Sequence, residues 1–335
     1  MKFDCAGFGS INIDEFWETS SKFFELIGIA PGQEVVQDIY WFNKYYPLLK
    51  ISGDLKGIGP GGSAANTIAA LRRMGFSTGF FGAAGNDIDG KIDLDELGQS
   101  DSLRIRHTNL PSGRCIALIN ADDAHRDRAL VILPNANNLA DKASLDVNYF
   151  CDSNWVHLTS FVSNGPLEAQ KKLVQTLPDK VKISFDPGAV YCRLGMKPLE
   201  SIIARSQVLF LAEEELVTLM GPTPMDKSIS KLISIGANTI VIKMGHRGIK
   251  VFQLNNTWFH DAVKPIRIVD RTGAGDVAAA GFIAGMILSL PPIDCLALAS
   301  GTASKSIQGY GRSMYPDREY LKNFLANRQT NVYPW

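Results

Sequence analysis

The sequence predicts an α/β fold, a doubly wound and mostly parallel sheet with helices on both faces, accompanied by a small β-sheet lid. Three observations carry that prediction. Short apolar or β-branched runs alternate with amphipathic stretches along most of the chain, several runs end in Gly, Asp or Pro, and two segments, at about 15–60 and 106–133, break the alternation. Ligands of such folds bind beyond the carboxyl ends of the strands.

Taken in order, "FDCAGFG" (3–9), "TGFFGAAG" (78–85), "WVHLT" (155–159), "KISFDPG" (182–188), "QVLFLA" (207–212) and "TIVIKMG" (239–245) read as buried strands. Between them, "ANTIAALRRMG" (65–75), "PLEAQKKLVQTLP" (166–178), "EEELVTLMG" (213–221) and "DKSISKLISIG" (226–236) read as helices. Gly75, Gly221 and Gly236 stand where a helix end favours positive φ. A last helix is expected from about Asp276 to Leu290. The segment 15–60 is aromatic-rich and irregular. In 106–133, "GRCIALINADDAHRDRALVIL" reads as two strands around the polar turn "NADDAHRD". Both segments are excursions from one domain spanning 1–335, and together they make a sheet able to cover a site.

Composition excludes several classes of function. The chain has 335 residues, 34 Lys+Arg against 34 Asp+Glu, and a formal net charge of zero. It therefore presents no bulk field for nucleic acid or an anionic membrane. The start "MKFDCAGFGSINID" lacks a basic region followed by an apolar one, so no secretory signal is expected. The longest apolar run, Val277 to Leu290, is shorter than the roughly 20 residues of a membrane span. Five scattered cysteines (Cys5, Cys115, Cys151, Cys192, Cys295) never form CxxC, which suggests reduced thiols in a cytoplasmic protein.

Two glycine clusters carry the chemistry. In "VDRTGAGDVAAAGF" (269–282), Gly273, Ala274 and Gly275 precede a helix, where converging backbone N–H groups and the helix start can hold an anion. Asp276 beside them has two readings: a helix cap, or a base that takes a proton from an attacking hydroxyl while the loop stabilises developing charge. In "GPGGSAANTIAALRRMG", Gly61 and Gly62 allow backbone contact with a ligand, and the Asn66 amide can both donate and accept. Tight helix entry explains that pattern as well. No GxxxxGK[ST] occurs, and "GFGSIN" lacks the GxGxxG spacing of a dinucleotide fold.

Together these segments resemble the ribokinase-like (PfkB) carbohydrate kinases over nearly the whole chain. "GSINID" (9–14) is similar to that family's sugar-contacting strand end. "GGSAANTIAALRRMG" with "GAAGNDIDG" resembles its first signature, and "VDRTGAGDVAAAGF" its second. The resemblance implies a parallel core with a β lid, and transfer of the ATP γ-phosphoryl group to a hydroxyl of a sugar, of ribokinase or fructokinase type. A nucleoside kinase of adenosine type is the alternative, suggested by the long aromatic segment 15–60, where Phe16, Trp17, Tyr40, Trp41 and Phe42 are candidates to stack on a base or to fill the lid core. A non-catalytic sugar-binding protein on the same fold is a third reading.

Matched position by position, Asp276 is the base, with Gly273, Ala274 and Gly275 as anion hole. Asn12, Asp14, Gly61, Gly62 and Asn66 contact substrate, Asn12 and Asp14 sharing a strand face. Lys243, Gly245 and Gly248, in "TIVIKMGHRGIKVF", are nucleotide contacts, although an ordinary glycine hairpin explains that stretch too. Asp270 matches an aspartate that organises a monovalent cation such as K+. Mg²⁺ is implied with ATP, and Glu215 would act on it through water. Two positions depart from the pattern: Ala212 stands where an Asn is usual, and Arg271 where Thr is common, beside the anion hole and able to pair with a phosphate. Pairing of lids into a homodimer is a further implication.

Overall fold

The structure, a computed structural model, describes residues 2–122, 128–254 and 256–328. Most of the polar turn expected between the two lid strands, residues 123–127, lies outside the described residues. Fourteen strands are described: β1 (Phe3–Phe8), β2 (Asn12–Thr19), β3 (Glu34–Val36), β4 (Asp54–Gly61), β5 (Thr78–Gly85), β6 (Leu103–Thr108), β7 (Gly113–Asn120), β8 (Arg128–Leu133), β9 (Ser153–Thr159), β10 (Lys182–Asp186), β11 (Val208–Ala212), β12 (Thr239–Lys243), β13 (Ile249–Gln253) and β14 (Asn256–His260). They form a nine-stranded sheet, in the order β14-β13-β12-β11-β10-β9-β1-β5-β6, and a five-stranded one, β3-β8-β7-β2-β4.

In the large sheet every pair from β12 to β6 is parallel, and β12, β13 and β14 run antiparallel at one edge. Its inner strands are continuous apolar runs, as strands covered on both faces require. One face packs Leu167, Leu173, Leu199, Ile202, Leu216 and Leu232 from the helices between 164 and 235. The other packs helices Ser63–Arg73, Ala274–Ile287 and Pro292–Ser306. Helix Ala274–Ile287 has buried residues on all its sides, which fits a helix enclosed by protein. The chain moves from β1 to β5 on one side and returns to β9 on the other, so strand order reverses beside β1. A crevice opens at such a reversal, outside the strand ends.

The segment 106–133 divides differently from expectation. β6 is an edge strand of the large sheet, and only β7 and β8 belong to the lid. The lid also begins earlier than residue 15: three residues after β1, the chain enters β2 at Asn12. Along β8 the alternation of the pleat is clear. Ala129, Val131 and Leu133 are buried in a separate outer core with Phe23, Phe24, Trp41 and Leu49, from helices Ser21–Ile27 and Ile39–Ser52. Arg128, Leu130 and Ile132 face the cleft. The outer face of the lid is thus covered by helices of the same chain. Among the described residues no helix is long and apolar enough to cross a membrane.

Candidate active site

A cleft of about 600 Å³ lies between the lid and the carboxyl ends of the large sheet. Its lining includes Asn12, Asp14 and Cys115 from the lid, and Asp186, Glu215 and Lys243 from the ends of core elements. Gly62 and Asn66 come from one helix start, and Gly273, Ala274, Gly275 and Asp276 from another. Residues more than two hundred positions apart thus meet at one crevice.

Helix Ala274–Ile287 begins with Gly273 at φ 74°, a left-handed conformation that glycine adopts without strain. A side chain there would approach the Tyr315 hydroxyl to 3.1 Å and Asn66 Nδ2 to 3.2 Å. No side chain caps this helix start. Asp276 is its third residue, and its Oδ2 accepts a hydrogen bond from Asn66 Nδ2 at 2.9 Å. Thr67 Oγ1 donates to the Asp276 carbonyl at 3.1 Å, which fixes the turn. Burial, countered by the Asn66 hydrogen bond and reinforced by Asp186, pushes the Asp276 carboxyl up to about 7.

Lys243 projects from the end of β12 into this group. Its Nζ donates to Asp186 Oδ2 at 2.5 Å, and its ammonium lies against the first turn of the helix, 3.3 Å from where a Gly275 side chain would begin. Despite the cost of burial, Asp186 and Glu215 hold Lys243 in its charged form, its pKa raised. Ala212 and Lys243 are partners across β11 and β12. The small side chain at 212 thus borders the lysine. Glu215 Oε2 accepts from the Ala212 N–H at 2.6 Å, a hydrogen bond that closes the start of helix Glu213–Met220. Burial raises the Glu215 carboxyl, and Lys243 opposes the shift.

Asp270 sits just outside the cleft lining. Its Oδ1 accepts from Thr272 N at 2.9 Å, while Oδ2 is buried without a hydrogen-bond partner. An orphaned buried carboxylate oxygen is costly unless something positive completes it, so the site fits a monovalent cation. Arg271 is exposed and lines the cleft. The arginine that engages the loop is Arg128 of the lid, whose Nη1 donates to Thr272 Oγ1 at 2.6 Å and lies 3.7 Å from Asp270 Oδ1. Gly245 lines the cleft, beside Met244, His246 and Arg247. Gly248, at φ 111°, is required by its own turn, because a side chain would overlap the His260 carbonyl. Among the described residues no group of three or more His, Cys, Asp or Glu side chains is placed to hold a metal ion. Mg²⁺ needs few protein ligands when a nucleotide supplies others; Glu213, Glu214 and Glu215, directly after β11, line the cleft.

At the opposite end, Asn12 and Asp14 both line the cleft, as the pleat requires of residues two apart. Asn12 Oδ1 accepts from Asn137 Nδ2 at 2.8 Å, which commits its carbonyl and leaves its NH₂ to donate. Gly61 is closed over by Asp14: a side chain at 61 would overlap that carboxylate. Gly62, at φ 95°, makes the turn into helix Ser63–Arg73. Asn66 has less freedom than its sequence suggests. Arg312 Nε donates to its Oδ1 at 3.1 Å while its Nδ2 donates to Asp276. The aromatic residues of the segment 15–60 do not supply a stacking wall. Trp17 and Trp41 fill the outer core of the lid with Phe42 packed against it, Tyr40 is 80% exposed, and Phe16 lies near Tyr310.

Four participants were not singled out in the sequence: Asp186, Arg128, Arg312 and Tyr315. Asp186 had a signal, since it ends a strand of a parallel sheet where ligands gather. Arg128 stood beside an ordinary hairpin turn, and nothing in "GYGRSMYP" marks Arg312 or Tyr315.

A crevice at a strand-order reversal, a buried carboxylate at a helix start and a β lid above them define a kinase of the ribokinase-like fold. The pfkB family carbohydrate kinase model matches residues 56–317, and the chain belongs to that family. An uncharacterized sugar kinase from Archaeoglobus fulgidus is 28% identical over 249 residues, covering 72% of this chain and 95% of the relative. The solved structure of adenosine kinase from Sinorhizobium meliloti superposes with a TM-score of 0.83 at 18% identity, covering 98% of this chain and all of that one. A putative ribokinase II from E. coli, solved in complex with ATP and Mg²⁺, gives a TM-score of 0.76 at 20% identity, covering 97% and 99%. The protein is a carbohydrate kinase of this family, acting on a small molecule of the sugar or nucleoside class.

Proposed function

We propose that this chain is a cytoplasmic enzyme that moves the γ-phosphoryl group of ATP to a hydroxyl of a small neutral sugar, with Asp276 as general base. The observation that carries the reading is the placement of a buried carboxylate, pushed up to about 7, across one cleft from Asn12 and Asp14. A carboxylate with that proton affinity can take a proton at neutral pH and release it afterwards. Phosphoryl transfer depends on positioning and charge neutralisation more than on covalent participation. Asp14 accepts from substrate hydroxyls and Asn12 donates to them. The N–H groups of Gly273, Ala274 and Gly275, with the Lys243 ammonium beside them, stabilise charge on the transferring group. Gly245 and Arg271 border the space for the nucleotide. Glu215 would hold Mg²⁺ through water, the metal would supply further charge neutralisation, and Asp270 would hold K+.

A nucleoside acceptor is the second reading. It is favoured by Leu130, Ile132, Ala189 and Val190, an apolar wall in the same cleft able to cover a base. One experiment tests both. ADP release is measured with MgATP and K+ against ribose, fructose, 2-keto-3-deoxygluconate, adenosine, inosine and guanosine, for the native protein and Asp276→Asn. The expected result is turnover on a neutral sugar and a loss in kcat of about 100-fold or more in the variant, the scale of general-base removal. Preference for a nucleoside over every sugar establishes the second reading. Near-native turnover by Asp276→Asn removes the base assignment, and ligand binding without turnover identifies a non-catalytic binder.

A further inference from the structure

The segment after helix Pro292–Ser306 buries an arginine behind Asn66, which lines the cleft. Arg312 is 3% exposed, although no motif of the sequence singles it out. Its Nε donates to Asn66 Oδ1 at 3.1 Å, and its Nη2 donates to the Gly61 carbonyl at 3.2 Å. Its Nη1 lies 3.4 Å from Glu96 Oε2. A guanidinium only donates, so the amide oxygen of Asn66 must face it and the amide nitrogen must face the other way. On that other side lies Asp276 Oδ2, at 2.9 Å.

We propose that Arg312 is a positioning residue of phosphoryl transfer: by fixing the Asn66 amide, it presents an N–H to Asp276 and holds that carboxylate in the orientation that accepts the substrate proton. Without the guanidinium, Asn66 is free to turn its oxygen toward Asp276, replacing a donor with a lone pair. The fork geometry matters as well as the charge, because one planar group serves both Asn66 and the Gly61 carbonyl. The inference rests on the reading of Asp276 as base.

The surrounding charges are accounted for. Asp276 is also faced by Asp186, Lys243 and Glu215, none of which contacts Arg312 through a described hydrogen bond or ion pair. On the far side stands Tyr315, its hydroxyl deterred from ionising by burial and by Asp276, Asp14 and Asp270, with Arg312 opposing them. Glu96 is an exposed ion-pair partner of Arg312 and has no contact with Asp276 among the described pairs.

The test compares Arg312→Met and Glu96→Gln with the native full chain. It uses MgATP and whichever acceptor of the screen above turns over fastest, and reads kcat, the KM for MgATP, the acidic limb of kcat/KM and the melting temperature. Arg312→Met is expected to lower kcat by about 10- to 100-fold, the scale of a lost hydrogen bond in a charged chain, with the KM for MgATP within about threefold. Its acidic limb is expected at higher pH. Glu96→Gln, which breaks the ion pair but spares Asn66, is expected to leave kcat and the limb in place. If Arg312→Met does not fold, Arg312→Lys, which keeps the charge without the fork, gives the same reading. An acidic limb superposed on that of the native enzyme overturns the proposal, as does an equal shift in Glu96→Gln. Inactive Asp276→Asn alongside an unshifted limb would reject only the role of Arg312, whereas active Asp276→Asn would reject both.

Discussion

At the scale of a residue, Asp276, the proposed base, is a buried carboxylate in the first turn of a helix. It is the third helical residue and its side chain turns to Asn66, so the capping reading of "GAGD" gives way to one in which the helix start positions the acid. Burial sets the direction of its titration. Protonated Asp276 cannot accept the substrate proton, so kcat/KM is expected to fall toward acid with an apparent pKa near 7, measured with the best acceptor at saturating MgATP. Stability moves in the opposite sense. The folded-state pKa is raised, so the neutral form favours folding; its contribution is complete below the unfolded value near 3.8 and is lost as pH rises through about 7. Asp276→Asn, permanently neutral, should therefore melt a few degrees above the native protein at pH 8, the gap narrowing by pH 5. A calorimetric series that shows a constant gap would remove burial as the cause.

At the scale of elements, the lid and the glycine loop before helix Ala274–Ile287 meet through Arg128 and Thr272. Arg114 of β7 pairs with Glu15 within the lid and with Asp89 of helix Ile88–Leu97, a second ion contact between the lid and the core. A lid that excludes water protects ATP from hydrolysis. Arg128→Ala should raise acceptor-independent ADP release severalfold relative to acceptor-dependent turnover, and an unchanged ratio in a coupled assay would show that this latch does not govern closure. The sequence disclosed these elements unevenly. Buried strands such as β5 and β11 are continuous apolar runs and were legible. The edge strand β6, "LRIRHT", alternates with charge and was absorbed into the lid. Asn66 and Asp276 stand in local glycine patterns, Asn12 and Asp14 entered through the resemblance of "GSINID", and all four line one cleft. Arg128 and Arg312 were not, since each is placed by folding over long separations without any local pattern.

At the scale of the whole molecule, the lid's own helices occupy the face through which two lids would otherwise stack. A homodimer through the lid would have to use its edge, where β4 exposes Leu55 and Ile58. Sedimentation velocity across micromolar concentrations should then show dimer in the native protein and less of it in Ile58→Lys; a monomer throughout excludes the arrangement. The chemistry itself is spread from Asn12 in the first lid strand to Tyr315 near the other end of the chain. Asn66 and Arg312, 246 positions apart, touch directly. Contacts of such separation form late, because the chain between them must be closed first. The orientation of Asn66, and with it the donor that faces the proposed base, is therefore settled only when residues 66 and 312 have met.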